Sequence, residues 1–142
     1  VWHKGLLYKI IIFGIEGKLF HLLESFLSER YQRVTINGQS SNWLPVEAGV
    51  PQGSILGPLL FLSFINDLPD GLLCNVKLFA DDTAIFSPVN TPNETADDLN
   101  HDLAKINDWA YQWKMIFNPD ISKPVKEVLF SKKNTNIDHP TL

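Results

Sequence analysis

Two apolar arms joined by a pair of adjacent aspartates constrain this chain more than any other segment. The run Val76-Lys77-Leu78-Phe79-Ala80-Asp81-Asp82-Thr83-Ala84-Ile85-Phe86 places β-branched and aromatic residues on both sides of a polar centre, so a short hairpin is predicted over residues 76–86. A turn selected for stability alone favours Asn-Gly or Asp-Gly, which accept positive φ. Asp-Asp brings no glycine and sets like charges side by side. At about 4 Å that repulsion is on the order of 1 kcal/mol in water and about 4 kcal/mol at the effective dielectric of a protein surface. A divalent cation would remove the conflict. Neighbours along a strand face opposite ways, so both carboxylates can approach one point only because they sit at the turn. Asp81 is the better candidate for direct coordination, with Asp82 as a second or partial ligand. Taken alone, the pair also fits a solvated acidic turn, since Asp is common in turns. A site for two magnesium ions needs a further anchoring acid. Glu47, Asp67 and Asp70 are substitutes by composition, but none lies in a strand setting that clearly faces the hairpin.

Around this hairpin the pattern is mixed. Leu6, Leu7, Ile10 and Ile11 recur at helical spacing over residues 4–12, with Gly14 as the stop, and Leu19, Leu22, Leu23, Phe26 and Leu27 form one stripe over residues 17–29. Residues 31–36 read as a strand, Asn37-Gly38 as a hairpin turn, and residues 43–47 as the returning strand. Residues 59–68 read as a helix, with Pro58 tolerated in its first turn and Pro69 ending it. Pro88 and Pro92 mark a surface connection, and Leu99, Leu103, Ile106, Trp109 or Ala110, and Trp113 mark an amphipathic helix over residues 93–114. A last strand is predicted over residues 127–130, and the tail from 134 is expected to fray. The fold class is α+β.

At 142 residues and 44% apolar, the chain is long enough for one core. The richest apolar stretch, residues 56–68, is interrupted by Gly57, Pro58, Ser63, Asn66 and Asp67, so no membrane span is expected. One cysteine, Cys74, excludes an internal disulfide and a cysteine-rich zinc site, and reads as a small core residue. His3, His21, His101 and His139 lack the i, i+4 spacing of a metal pair and read as surface or half-buried side chains. The net charge of -4 argues mildly against a phosphate-binding surface. It is uneven, however: Asp81, Asp82, Glu94, Asp97 and Asp98 gather in one region, and Lys123, Lys126, Lys132 and Lys133 in another. The first residue is Val1 and the only methionine is Met115, so the sequence reads as part of a longer polypeptide.

Ahead of the hairpin stands Glu47-Ala48-Gly49-Val50-Pro51-Gln52-Gly53-Ser54-Ile55-Leu56-Gly57-Pro58. Three glycines and two prolines around a polar Gln52 describe a shaped loop entering a helix. Glycine permits close backbone approach to a ligand, and free N–H groups at a helix start favour anionic oxygens. The loop alone fits an ordinary connection equally well.

The pairing of Gly49-Val50-Pro51-Gln52-Gly53-Ser54 with Phe79-Ala80-Asp81-Asp82, in this order and close together, resembles the reverse transcriptases of non-LTR retrotransposons. The likeness extends over residues 1–133. Trp2-His3-Lys4-Gly5-Leu6-Leu7 looks like the stretch just after the family's first catalytic motif, and Trp113-Lys114-Met115-Ile116-Phe117-Asn118-Pro119 like the stretch before its lysine motif. The resemblance implies an incomplete right-hand polymerase palm, an antiparallel sheet with packed helices that lacks the first catalytic motif, most of the fingers, and the thumb. It implies RNA-directed DNA synthesis, in which Asp81 and Asp82 help hold two magnesium ions, with manganese as an alternative. The implied partners are an RNA template, a DNA primer, dNTPs and the remaining parts of the same polypeptide, with no membrane. Pro51, Gln52, Gly53 and Ser54, with Phe79 and Ala80, would contact nucleotide and template. Lys123 would stand near the departing pyrophosphate, although its spacing from Asn118-Pro119 is longer than usual and Lys126 competes for the role. The first metal-binding aspartate is expected upstream of Val1, so the fragment by itself is expected to be inactive. The competing reading is a catalytically dead remnant, or a domesticated module that holds nucleic acid without chemistry.

Overall fold

Leu6 and Ile10 stand one helical turn apart, and both are buried on the inner face of α1 (His3–Ile12). The computed structural model describes residues 1–89, 91–117, 128 and 130, and the chain divides into two compact units, Val1–Leu68 and Pro69–Leu142. In the first unit α1 packs against α2 (Gly17–Leu27) and α3 (Leu56–Ile65). Its core is Leu6, Ile10, Leu23, Leu27, Leu60, Phe64, Ile65 and Leu68. Burying a side chain such as Phe64 contributes about 1.5–3 kcal/mol.

Gly14 ends α1 as its position predicts, and the detail is a Schellman closure. With Gly14 at φ +80, its N–H donates to the Ile11 carbonyl at 2.9 Å and the Ile15 N–H to the Ile10 carbonyl at 3.2 Å. The stripe of α2 is only partly covered. Leu23 and Leu27 are buried, whereas Leu19 and Leu22 are 51% and 60% exposed, because α1 covers one side of a face wider than itself. Helix α3 begins three residues before the predicted start. Pro58 still lies in the first turn, where an amide N–H would have no partner within the helix.

The predicted ribbon forms in two pieces. β1 (Tyr31–Gln32) pairs with β4 (Leu44–Pro45), and β2 (Thr35–Ile36) with β3 (Gln39–Ser40), all antiparallel. Asn37 and Gly38 both take positive φ, +50 and +78, as a type I′ turn requires. The inner register joins Ile36 to Gln39 and the outer joins Gln32 to Leu44, so the returning strand carries one more residue than its partner. That is a β-bulge, and it explains why pairing resumes at Leu44 after an interruption.

In the second unit β5 (Asn75–Phe79) and β6 (Asp82–Phe86) form the acidic hairpin. The long helix α4 (Pro92–Gln112) starts on Pro92 at its first position, where a missing N–H costs nothing. It buries Ala96, Asp102, Ile106 and Ala110, with Trp113 just beyond its end. Helices and two-stranded antiparallel sheets make the described residues α+β. No helix among them is long and apolar enough to cross a membrane. The tail, Lys123, Lys126 and most of the predicted strand at 127–130 lie outside the described residues.

Candidate active site

The acidic hairpin closes on a two-residue loop. Phe79 pairs with Asp82, which leaves Ala80 and Asp81 at the tip. Ala80 has φ +52 and Asp81 stays out of the left-handed region, the φ pattern of a type II′ turn, whose first central position usually takes glycine. Holding an alanine there costs about 1–2 kcal/mol. Strain of this kind clusters where a geometry serves function. The turn also separates the two acids. Asp81 ends the loop, and Asp82 opens β6 on the face that carries Phe79, Lys77 and Ala84.

Both carboxylates are exposed, and neither forms a hydrogen bond or ion pair with another described residue. They are hard oxygen donors, suited to an ion that keeps several waters and accepts one or two protein carboxylates. Among the described residues no group of three or more His, Cys, Asp or Glu side chains is gathered for a metal. Of the substitutes suggested by composition, Asp67 is ion-paired with Lys9, while Glu47 and Asp70 are exposed.

The glycine-rich loop belongs to the first unit and is held by its own backbone. The Ser54 hydroxyl donates to the Pro51 carbonyl at 2.7 Å and accepts the Gly57 N–H at 2.9 Å. A Cβ on Gly57 would lie 2.6 Å from the Pro51 carbonyl oxygen, so only glycine fits. Gly53 takes φ +79, and Gln52 beside it is exposed. The loop is tied to the start of the chain: the Gly49 N–H donates to the Val1 carbonyl at 2.7 Å, and His3 Nε2 donates to the Gly49 carbonyl at 2.7 Å. Trp2 and Ala48 form an antiparallel bridge beside these bonds. Gln52 is thereby presented on a fixed frame, with the Ser54 side chain spent inside it.

Two buried charges escaped the sequence reading. Lys9, 3% exposed, donates to the Phe64 carbonyl at 2.6 Å and pairs with Asp67, with its ammonium 4.9 Å from the Phe64 ring centroid. A cation there compensates the carbonyl end of α3. Asp102, fully buried on α4, accepts the Leu73 and Cys74 N–H groups at 2.9 and 2.7 Å. Burial pushes its carboxyl upward, but those two N–H groups, the Cys74 thiol and His101 outweigh it and hold the group below its ordinary value. Cys74, half-buried, is pushed up to about 11, first by burial and then by the hydrogen bond and charge of Asp102. The available signal was faint: Lys9 and Asp102 each fall on the buried face of a helix, where a charge needs a partner.

Residues 1–130 match the family described as reverse transcriptase (RNA-dependent DNA polymerase). The chain belongs to that family. It is 34% identical over 128 residues to the RNA-directed DNA polymerase from mobile element jockey of Drosophila melanogaster, a match covering 84% of this chain and 14% of that protein. The corresponding protein of Drosophila funebris is 37% identical over 126 residues, covering 83% of this chain and 14% of its own length. The chain therefore spans about one seventh of these curated relatives. No solved structure matches it significantly. The resemblance read from the two motifs is borne out for the family. In this member of the family the glycine-rich loop falls in the first unit and the acidic hairpin in the second.

Proposed function

We propose that this chain is part of the palm of an RNA-directed DNA polymerase from a retrotransposable element, with residues 1–133 as a partial reverse transcriptase domain. The observation that carries the reading is the tight Phe79-Ala80-Asp81-Asp82 turn, which leaves two adjacent carboxylates exposed and unpaired in a chain of this family.

In this reading Asp81 is the principal ligand of divalent metal and Asp82 the secondary one. Magnesium, or manganese in its place, would supply activation of a primer 3′-hydroxyl and charge stabilisation at the triphosphate. A further carboxylate would come from the rest of the polypeptide, since magnesium sites of this type draw on more than one short segment. Pro51, Gln52, Gly53 and Ser54 form a loop for the incoming nucleotide and the templating base: Gln52 offers amide hydrogen bonds, Gly53 lets the backbone come close, and Ser54 stiffens the frame. Phe79 is 82% exposed and offers a ring against nucleotide or primer, while Ala80 keeps the tip small. Lys123 would stand by the leaving pyrophosphate, with Lys126 as the alternative. RNA template, DNA primer and dNTPs are the substrates.

The test is primer extension on an RNA template by the full polymerase polypeptide with magnesium. Asp81→Asn keeps the size of the side chain and removes its charge, and should abolish extension while primer–template binding survives. Extension at the unmodified rate would sink the assignment.

A further inference from the structure

The ribbon of the first unit has chemistry that the metal and nucleotide residues do not use. Both arginines of the chain, Arg30 and Arg33, lie in residues 30–46, a segment with no Asp or Glu inside a chain of net charge -4. Its two faces differ. Alternation along the strands puts Gln32, Val34, Ile36 and Leu44 on one side, and Tyr31, Arg33 and Thr35 on the other. The bulge brings Trp43 to the second side, where the Arg33 guanidinium lies 4.6 Å from the Trp43 ring centroid. Thr35 and Ser40 stand opposite each other on that side, with their hydroxyls 2.9 Å apart. Tyr31 and Trp43 are 62% and 59% exposed.

We propose that this face of the ribbon is a stacking platform for unpaired bases of single-stranded nucleic acid. The proposal deepens the polymerase reading, on which it rests for the class of ligand, and it concerns a surface apart from the loop and hairpin residues assigned above. Rings and a guanidinium plane accept any base by its π-face, the arginine also attracts phosphate, and hydroxyls can bind phosphate oxygens. The strip from Tyr31 to Thr35 runs about 13 Å at roughly 3.3 Å per residue, room for two or three bases. Absence of carboxylates removes the repulsion that phosphates would meet at the acidic hairpin. A duplex hides its base faces within the stack, so the platform selects single strands.

The experiment measures fluorescence anisotropy of a labelled 12-nucleotide single-stranded RNA, and of the same sequence as a duplex, with the 142-residue chain in EDTA. Single-strand binding should exceed duplex binding. Trp43→Ala and Arg33→Ala should each weaken it about ten-fold, with Trp43→Phe and Arg33→Lys losing less. With Arg33 as the one arginine on this face, a shallow salt dependence is expected, with a slope of log affinity against log salt of about -0.7. The readout is metal-free binding rather than primer extension, so failure of the platform and failure of the catalytic assignment are read separately. Circular dichroism confirms that each variant keeps its secondary structure. No binding, equal duplex binding, or affinity indifferent to both Trp43→Ala and Arg33→Ala would overturn the proposal and leave this face to contact with polypeptide.

Discussion

At the scale of single residues the chain is governed by groups that cannot be exchanged without losing a partner. Asp102 is the clearest. Replacing it by Ala strands the Leu73 and Cys74 N–H groups, a loss of about 1–3 kcal/mol for each donor left buried and unbonded, to be read as a lower urea midpoint. Its pH dependence has a definite sign: a folded-state value held below the unfolded one contributes stability that is complete above the ordinary carboxylate range and fades as pH falls through the lowered value. Cys74 runs the other way. With its thiol raised to about 11 from 9.0, its share is intact below pH 9 and declines as pH rises toward 11. Only the thiolate is nucleophilic. Iodoacetamide should therefore modify Cys74 slowly at pH 8 compared with an unstructured cysteine peptide, and faster in Asp102→Asn; equal rates in all three would contradict the burial and hydrogen bonding described for the thiol.

Among elements, the acidic hairpin is the one whose local preference and geometry disagree. Its arms are good strand formers, yet its tip holds Ala80 in the left-handed region without the glycine that such turns favour. Ala80→Gly should stabilise the chain by about 1 kcal/mol, measured as a raised urea midpoint. An unchanged or lowered midpoint would show that the turn is not strained. Asn37-Gly38, by contrast, carries the residues that its turn needs, and the second strand there begins directly after it. The bulge between the two ribbon pieces was not legible in residue types, because one extra residue in a polar stretch leaves the alternation intact on either side. Helices α1, α2 and α4 start or stop within two residues of the expected positions, since Gly14, Gly17 and Pro92 act locally. Helix α3 is displaced by three, because the Ser54 and Gly57 hydrogen bond draws its start upstream.

For the whole molecule, the large apolar side chains left outside are the dominant fact. Ile11, Ile12, Phe13, Leu19 and Leu22 are each 47–63% exposed on or beside α1 and α2, large apolar groups that meet water directly. The 142-residue chain should bind the dye ANS strongly at neutral pH, and emission no greater than that of a well-packed globular domain would show those faces to be covered. Residue order alone determined the family, the helices with local stop signals, the acidic hairpin and the Asn37-Gly38 turn, because each depends on neighbours a few positions apart. Tertiary structure alone decided that His3 clamps Gly49, that Lys9 serves Phe64 and Asp67, that Asp102 holds the approach to β5, and that Arg33 meets Trp43. Those partners are ten to fifty-eight residues apart, and a buried charge or a shared ring contact is set by which chain segment folding brings alongside, a quantity that no local spacing encodes.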